Sequence, residues 1–338
     1  MLDGARTRAR SPRRRRWIGT TAAVVALAGV LTGAAAYHRD LTAARASTVG
    51  RSAVVHSPWG PIEYADVGSG PPVLFIHGSG GGFDQGLAFS APLARRGFRI
   101  IAPSRFGYLR SSMPEGATPE MQADALDWLL RRLDIEQAVI IGGSAGTLSA
   151  TQLALRRPGR CRALVLAVPT LYAPDRLPGA NAAPDPATQR AIDAALGSDL
   201  LFWTGMRAAP DFMTRMVLAT DPETVKRASA AERRRVREAM FNILPVSARR
   251  RGILMDSATA GAPPPWPVER IACPTLVVSA GGDLYETDKA AVRTARAIPG
   301  ARLVLYPDGG HLWVGHDAAL WRTVARFIDG LEPEPAPS

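Results

Sequence analysis

Three separated stretches of this 338-residue chain carry residue types suited to nucleophilic catalysis. The first is a serine among small residues, Gly142-Gly143-Ser144-Ala145-Gly146. A G-x-S-x-G run that turns sharply from strand to helix strains the serine backbone and lifts its hydroxyl clear of the sheet. The same turn aims the Ala145 N–H and the positive end of the following helix at the space above it. The second stretch is His77-Gly78-Ser79-Gly80-Gly81-Gly82. Its glycines let backbone N–H groups approach a ligand oxygen closely, and the N–H of Ser79 or Gly80 is the expected second oxyanion donor. A nucleotide loop is the weaker reading. There is no Lys-Ser/Thr ending, and Phe83 stands where the third glycine of G-x-G-x-x-G belongs. His77 is read as a structural hydrogen bonder. The third stretch supplies Asp283 after Gly281-Gly282 and His311 after Pro307-Asp308-Gly309-Gly310. A hydroxyl, a carboxylate to orient an imidazole, and the imidazole as base are the parts of acyl transfer. His316 is the alternative base, and Asp175 and Glu286 are alternative acids. Gly78, Gly80, Asp84, Gln85, Phe106, Tyr108 and Trp313 are candidate substrate-binding residues.

These groups need a scaffold that brings them together. Apolar runs at residues 52–55, 62–65, 72–76, 98–103, 137–141, 163–168, 275–280 and 302–306 read as eight strands, the first two a hairpin. Thr118 as N-cap and Pro119 at the first helical position start a helix whose inner face is Leu126, Leu129, Leu130 and Leu133. A second helix is expected at 147–157 and a closing one at about 318–331. Strands alternating with helices predict a mostly parallel sheet covered on both faces, with functional groups at the carboxyl ends of the strands. Ser144, Asp283 and His311 each follow such an end. Residues 171–265 lack strand signals and read as a helical insertion, a lid over the sheet. The expected organisation is therefore a tail with a hydrophobic segment (1–50), a core (51–170 and 266–338) and the lid (171–265).

On these motifs the sequence resembles the α/β-hydrolase superfamily, in its lidded esterase, epoxide-hydrolase-like and C–C-hydrolase-like branch. The resemblance covers about residues 52–331 and implies Ser144 as nucleophile, Asp283 as acid, His311 as base, and Ser79 and Ala145 as oxyanion donors. It implies no metal or organic cofactor. Ser104-Arg105-Phe106-Gly107-Tyr108 through Ser111 looks like the family's loop after the fourth strand, with Ser104 in place of the usual Asp and Leu109 in place of the second Gly. A serine nucleophile disfavours dehalogenase and epoxide hydrolase chemistry. The expected activity is a serine hydrolase acting on a small carboxylic ester or related carbonyl substrate. Alternatives are a C–C bond hydrolase, a hydroxynitrile lyase or a perhydrolase using the same residues, and a non-catalytic membrane-tethered binding protein. The resemblance also makes the strands following Cys161 and Cys273 neighbours, so these cysteines either pair or remain buried thiols.

The net charge of +11 does not indicate a nucleic-acid partner. Residues 1–51 carry +8 of it, leaving +3 for the rest. Arginines 13–16 precede 21 uncharged residues, 17–37, which read as an anchor or secretory signal with the bulk of the chain outside the cytoplasm. The Ala34-Ala35-Ala36 site makes secretion after cleavage the alternative. The arginine runs 233–235 and 249–251 read as solvated helix faces. The Glu-Pro-Glu-Pro end reads as disordered. Composition and motifs leave the oligomeric state open.

Overall fold

A computed structural model describes residues 12–176 and 185–331. The prolines at 178 and 184, the first eleven residues and the acidic tail at 332–338 lie outside the described residues. The chain divides into two compact units, residues 1–43 and 44–338. The described part of the first unit is helical, within α1 (Pro12–Ala46). Residues 17–37 fall inside it. Among the described residues no helix is long and apolar enough to cross a membrane. The anchor expectation therefore gains no structural support.

In the second unit the strands are β1 (Ala53–Ser57), β2 (Gly60–Val67), β3 (Pro72–Ile76), β4 (Arg99–Pro103), β5 (Ala138–Gly143), β6 (Cys161–Ala167), β7 (Thr275–Ala280) and β8 (Arg302–Tyr306). They form one eight-stranded sheet in the order β1-β2-β4-β3-β5-β6-β7-β8. Strand β2 runs antiparallel to β1 and β4; every pairing from β4 to β8 is parallel. All eight strands lie where the apolar runs place them, with ends shifted by up to two residues. Central strands are buried on both faces because alternate residues pack into separate cores. Leu74 and Ile76 join Leu126, Leu129, Leu130 and Ile140 on one side. Val73 and Phe75 join Phe83, Ile141, Leu320 and Val324 on the other.

Helices cover these faces: α2 (Phe83–Ala94), α3 (Pro119–Arg132), α4 (Gly146–Arg156), then α11 (Thr287–Ala297) and α12 (Asp317–Asp329). Helix α3 begins as expected, with the Thr118 hydroxyl accepting the Met121 N–H at 3.2 Å. The sequence pattern missed α2 and α11. Helix α2 carries Gly86 and Pro92 internally, and the buried face of α11 is only Thr287, Ala290, Ala291 and Thr294. Neither presents the wide apolar stripe by which an amphipathic helix is recognised. Among the described residues, six further helices lie between β6 and β7: α5 (Pro186–Gly197), α6 (Asp199–Ala208), α7 (Pro210–Val217), α8 (Pro222–Arg227), α9 (Ala230–Phe241) and α10 (Arg250–Gly261).

Candidate active site

Strand β5 ends at Gly143, and α4 starts three residues later. Ser144 sits between them with φ +50°, a left-handed conformation that costs a non-glycine residue about 1–3 kcal/mol. The neighbouring glycines are there for clearance. A Cβ at Gly146 would lie 2.2 Å from the Ile76 carbonyl oxygen, and one at Gly142 would lie 2.9 Å from the Thr147 Cα. These close approaches bring the elbow onto β3, so Ser144 faces the glycine-rich loop that follows it.

The three candidate groups meet. His311 Nε2 lies 2.9 Å from Ser144 Oγ, and His311 Nδ1 lies 2.8 Å from Asp283 Oδ2. A carboxylate only accepts, so Nδ1 carries the proton, and Nε2 offers its lone pair to the serine hydroxyl. Asp283 is 5 % exposed and well supplied with donors: the Tyr285 N–H at 2.8 Å and the Thr287 hydroxyl, besides His311. The Tyr285 ring stands edge-on to the imidazole at 5.2 Å. Burial, together with the Asp283 charge, pushes the Tyr285 phenol up to about 12, so it stays neutral beside the base. The alternatives are placed elsewhere. His316 stacks on Tyr306 and bonds Asp308, and Glu286 pairs with Lys289.

Gly78 packs against the elbow; a Cβ there would lie 3.1 Å from the Ser144 Cβ. Among the described residues the Ser79 and Ala145 N–H groups have no acceptor. The Gly80 N–H donates to Tyr108 Oη at 3.3 Å, which leaves Ser79 as the loop's available donor. His77 is fully buried, as expected of a structural group. Its Nε2 accepts the Arg105 N–H at 2.9 Å, so Nδ1 donates to the Gly78 carbonyl at 2.7 Å. Burial and the Arg105 charge hold its pKa well below the ordinary histidine value, so the ring is neutral near neutral pH.

A cavity of about 380 Å³ opens onto Ser144 and His311. Of the expected wall residues, Gly78, Gly80, Gln85 and Trp313 line it. Asp84, Phe106 and Tyr108 do not, and their placement as substrate contacts is corrected. Phe106 is packed in the core with Leu126 and Leu129. Asp84 is bound to Arg249, and Tyr108 donates to the carboxylate of Asp256.

The last two contacts expose what the sequence reading missed. Arg249 is fully buried, not solvated. Its guanidinium reaches Asp84 at 2.7 Å and the Gly81 carbonyl at 2.5 Å. Arg105 forms a bidentate pair with Asp256 at 2.5 and 2.7 Å, both nearly fully buried. Partners 165 and 151 positions apart leave no local signal. Leu109 adopts φ +51°, so the backbone keeps the conformation that glycine would favour there. Cys161 and Cys273 are free thiols whose sulfurs lie 2.8 Å apart, at the amino ends of β6 and β7. The hydrogen bond between them and burial both push the Cys161 thiol up.

A family model described as alpha/beta hydrolase fold matches residues 71–314. The chain belongs to this family. Among relatives of this alpha/beta hydrolase is the 2-hydroxy-6-oxononadienedioate/2-hydroxy-6-oxononatrienedioate hydrolase of Paraburkholderia xenovorans, 38% identical over 111 residues. That match covers 31% of this chain and 38% of the relative. The chain spans little more than a third of the length of the first curated relatives it matches. A longer match, 26% identical, covers 77% of this chain and 92% of the uncharacterized hydrolase YcgS of Bacillus subtilis. An alpha/beta hydrolase fold protein from Nakamurella multipartita superposes with TM-score 0.61 at 28% identity, over 82% of this chain and 98% of that one. The match over residues 71–314 therefore shows the alpha/beta hydrolase fold family.

Proposed function

We propose that the protein is a serine hydrolase that cleaves a small carboxylic ester by acyl transfer. The observation that carries this reading is the chain of two short contacts from Ser144 through His311 to Asp283. His311 Nε2 takes the hydroxyl proton as Ser144 Oγ attacks the carbonyl carbon. The N–H groups of Ser79 and Ala145 hold the oxyanion. The tetrahedral adduct collapses, His311 returns the proton to the departing alcohol, and an acyl-serine remains. Water, deprotonated by His311, then attacks the acyl carbon; the proton passes back to Ser144 as the free acid leaves. Asp283 holds the tautomer and stabilises the transient imidazolium. The helices from α5 to α10 act as the lid that shields the cavity. The test is labelling by a fluorophosphonate together with turnover of 4-nitrophenyl acetate. Ser144→Ala lowers turnover by three orders of magnitude or more, and His311→Ala blocks labelling. Retained turnover in Ser144→Ala overturns the assignment.

C–C bond hydrolysis with the same three residues is the second reading, supported by the name of the Paraburkholderia relative.

From the sequence we further propose that residues 1–50 direct the chain to or across a membrane, leaving residues 51–338 outside the cytoplasm. The arginine block ahead of a 21-residue uncharged run supports this. Expressed in a bacterial host, the protein is degraded by protease added to spheroplasts. Full protection there, with release only on lysis, would sink the idea.

A further inference from the structure

The cavity over Ser144 has a chemical character that bears on which carbonyl compound enters it. Its polar lining consists of Ser79, Gln85, Ser144, Ser257, Tyr285 and His311. No lysine or arginine lines it among the described residues. Of the buried arginines, Arg105 is neutralised by Asp256 and Arg249 by Asp84, while Arg176 lies outside the lining and donates to the Tyr285 carbonyl. The remaining wall is apolar. At one end Phe75, Phe89, Trp313 and Trp321 form a connected set of rings, with centroids 5.8 to 6.4 Å apart. From the helical insertion, α7 contributes Phe212, Met213 and Met216. At roughly 30 Å³ for each water-sized group, 380 Å³ holds about a dozen non-hydrogen atoms.

A carboxylate buried in such a chamber finds no cation among the described lining residues, and an unpaired buried charge is strongly disfavoured. A dioate of the kind that names the Paraburkholderia relative carries two such groups. An apolar chain instead gains from every methylene removed from water.

We infer that the site takes uncharged esters with an apolar acyl chain of medium length and rejects acyl chains ending in a carboxylate. This rests on the acyl-transfer reading, deepens it, and separates it from hydrolysis of dioates. Flexible methionines on α7 let the wall adapt to chains of different shape.

The experiment compares three activated esters on the full chain: 4-nitrophenyl acetate, 4-nitrophenyl hexanoate, and the mono-4-nitrophenyl ester of hexanedioic acid. The last two differ only in a terminal methyl against a terminal carboxylate. We expect kcat/KM to rise up to about fourfold per added methylene, and so up to about 250-fold from acetate to hexanoate. The hexanedioate ester is expected to fall at least 100-fold below the hexanoate ester. Met213→Arg, which places a cation in the cavity wall, narrows that ratio tenfold or more. Equal rates for hexanoate and hexanedioate overturn the inference, as does an unchanged ratio in Met213→Arg. Failure of a fluorophosphonate to label Ser144 overturns the acyl-transfer reading itself. A labelled serine that hydrolyses none of the three esters overturns only the substrate class.

Discussion

At His311 both ring nitrogens are engaged, one by a carboxylate that cannot donate and one by a hydroxyl that can. That asymmetry selects a single tautomer, and Asp283 imposes it. Asp283→Asn replaces an acceptor with a group that can present N–H to Nδ1, which favours the wrong tautomer. We predict a fall in kcat on 4-nitrophenyl acetate of about 10³–10⁴, with the circular dichroism spectrum unchanged. A loss smaller than tenfold would show that the carboxylate does not control the base. At this scale the sequence was informative for a simple reason. Ser144, Asp283 and His311 each follow an apolar run that becomes a strand, and parallel strands deliver such residues to one edge. The wall residues were harder to read. Phe106 and Tyr108 have the aromatic character of binding groups, yet both side chains are fully packed inside the protein. Aromatic type does not distinguish a ring in a core from a ring in a pocket.

Between elements, the consequential contacts are two buried ion pairs that tie the segment around α10 to α2 and to the loop after β4. Asp256 on α10 neutralises Arg105 and accepts the Tyr108 hydroxyl, and Tyr108 in turn receives the Gly80 N–H. The insertion is thereby connected to the loop that presents Ser79. Removing one partner strands the other charge without solvent. Asp256→Ala is predicted to lower the unfolding free energy by about 3–5 kcal/mol in urea denaturation, and the double variant Arg105→Met with Asp256→Leu to recover most of it. A cost below about 1 kcal/mol for Asp256→Ala would refute the role of this pair. Arginine runs on helices normally read as solvated, and Arg249 shows how that fails. Its partner Asp84 belongs to an element 165 residues away, and pairing at that distance is created by folding.

Across the whole molecule, strand positions and sheet type were legible because strands buried on both faces leave continuous apolar runs, as at Val73 to Ile76. The insertion was legible as helical but its shape was not. Whether Phe212 and Met216 cover a void or a core depends on how α7 settles over the sheet, which no local pattern encodes. The +8 concentrated in residues 1–51 separates the tail from the hydrolase body and leaves the latter nearly balanced in charge.

Ser144 carries the backbone of a residue that glycine would occupy with less strain. On the proposed acyl-transfer reading, thermal robustness and turnover pull in opposite directions at this position. A laboratory lineage screened for heat resistance alone would be rewarded for drifting towards a tougher, silent protein.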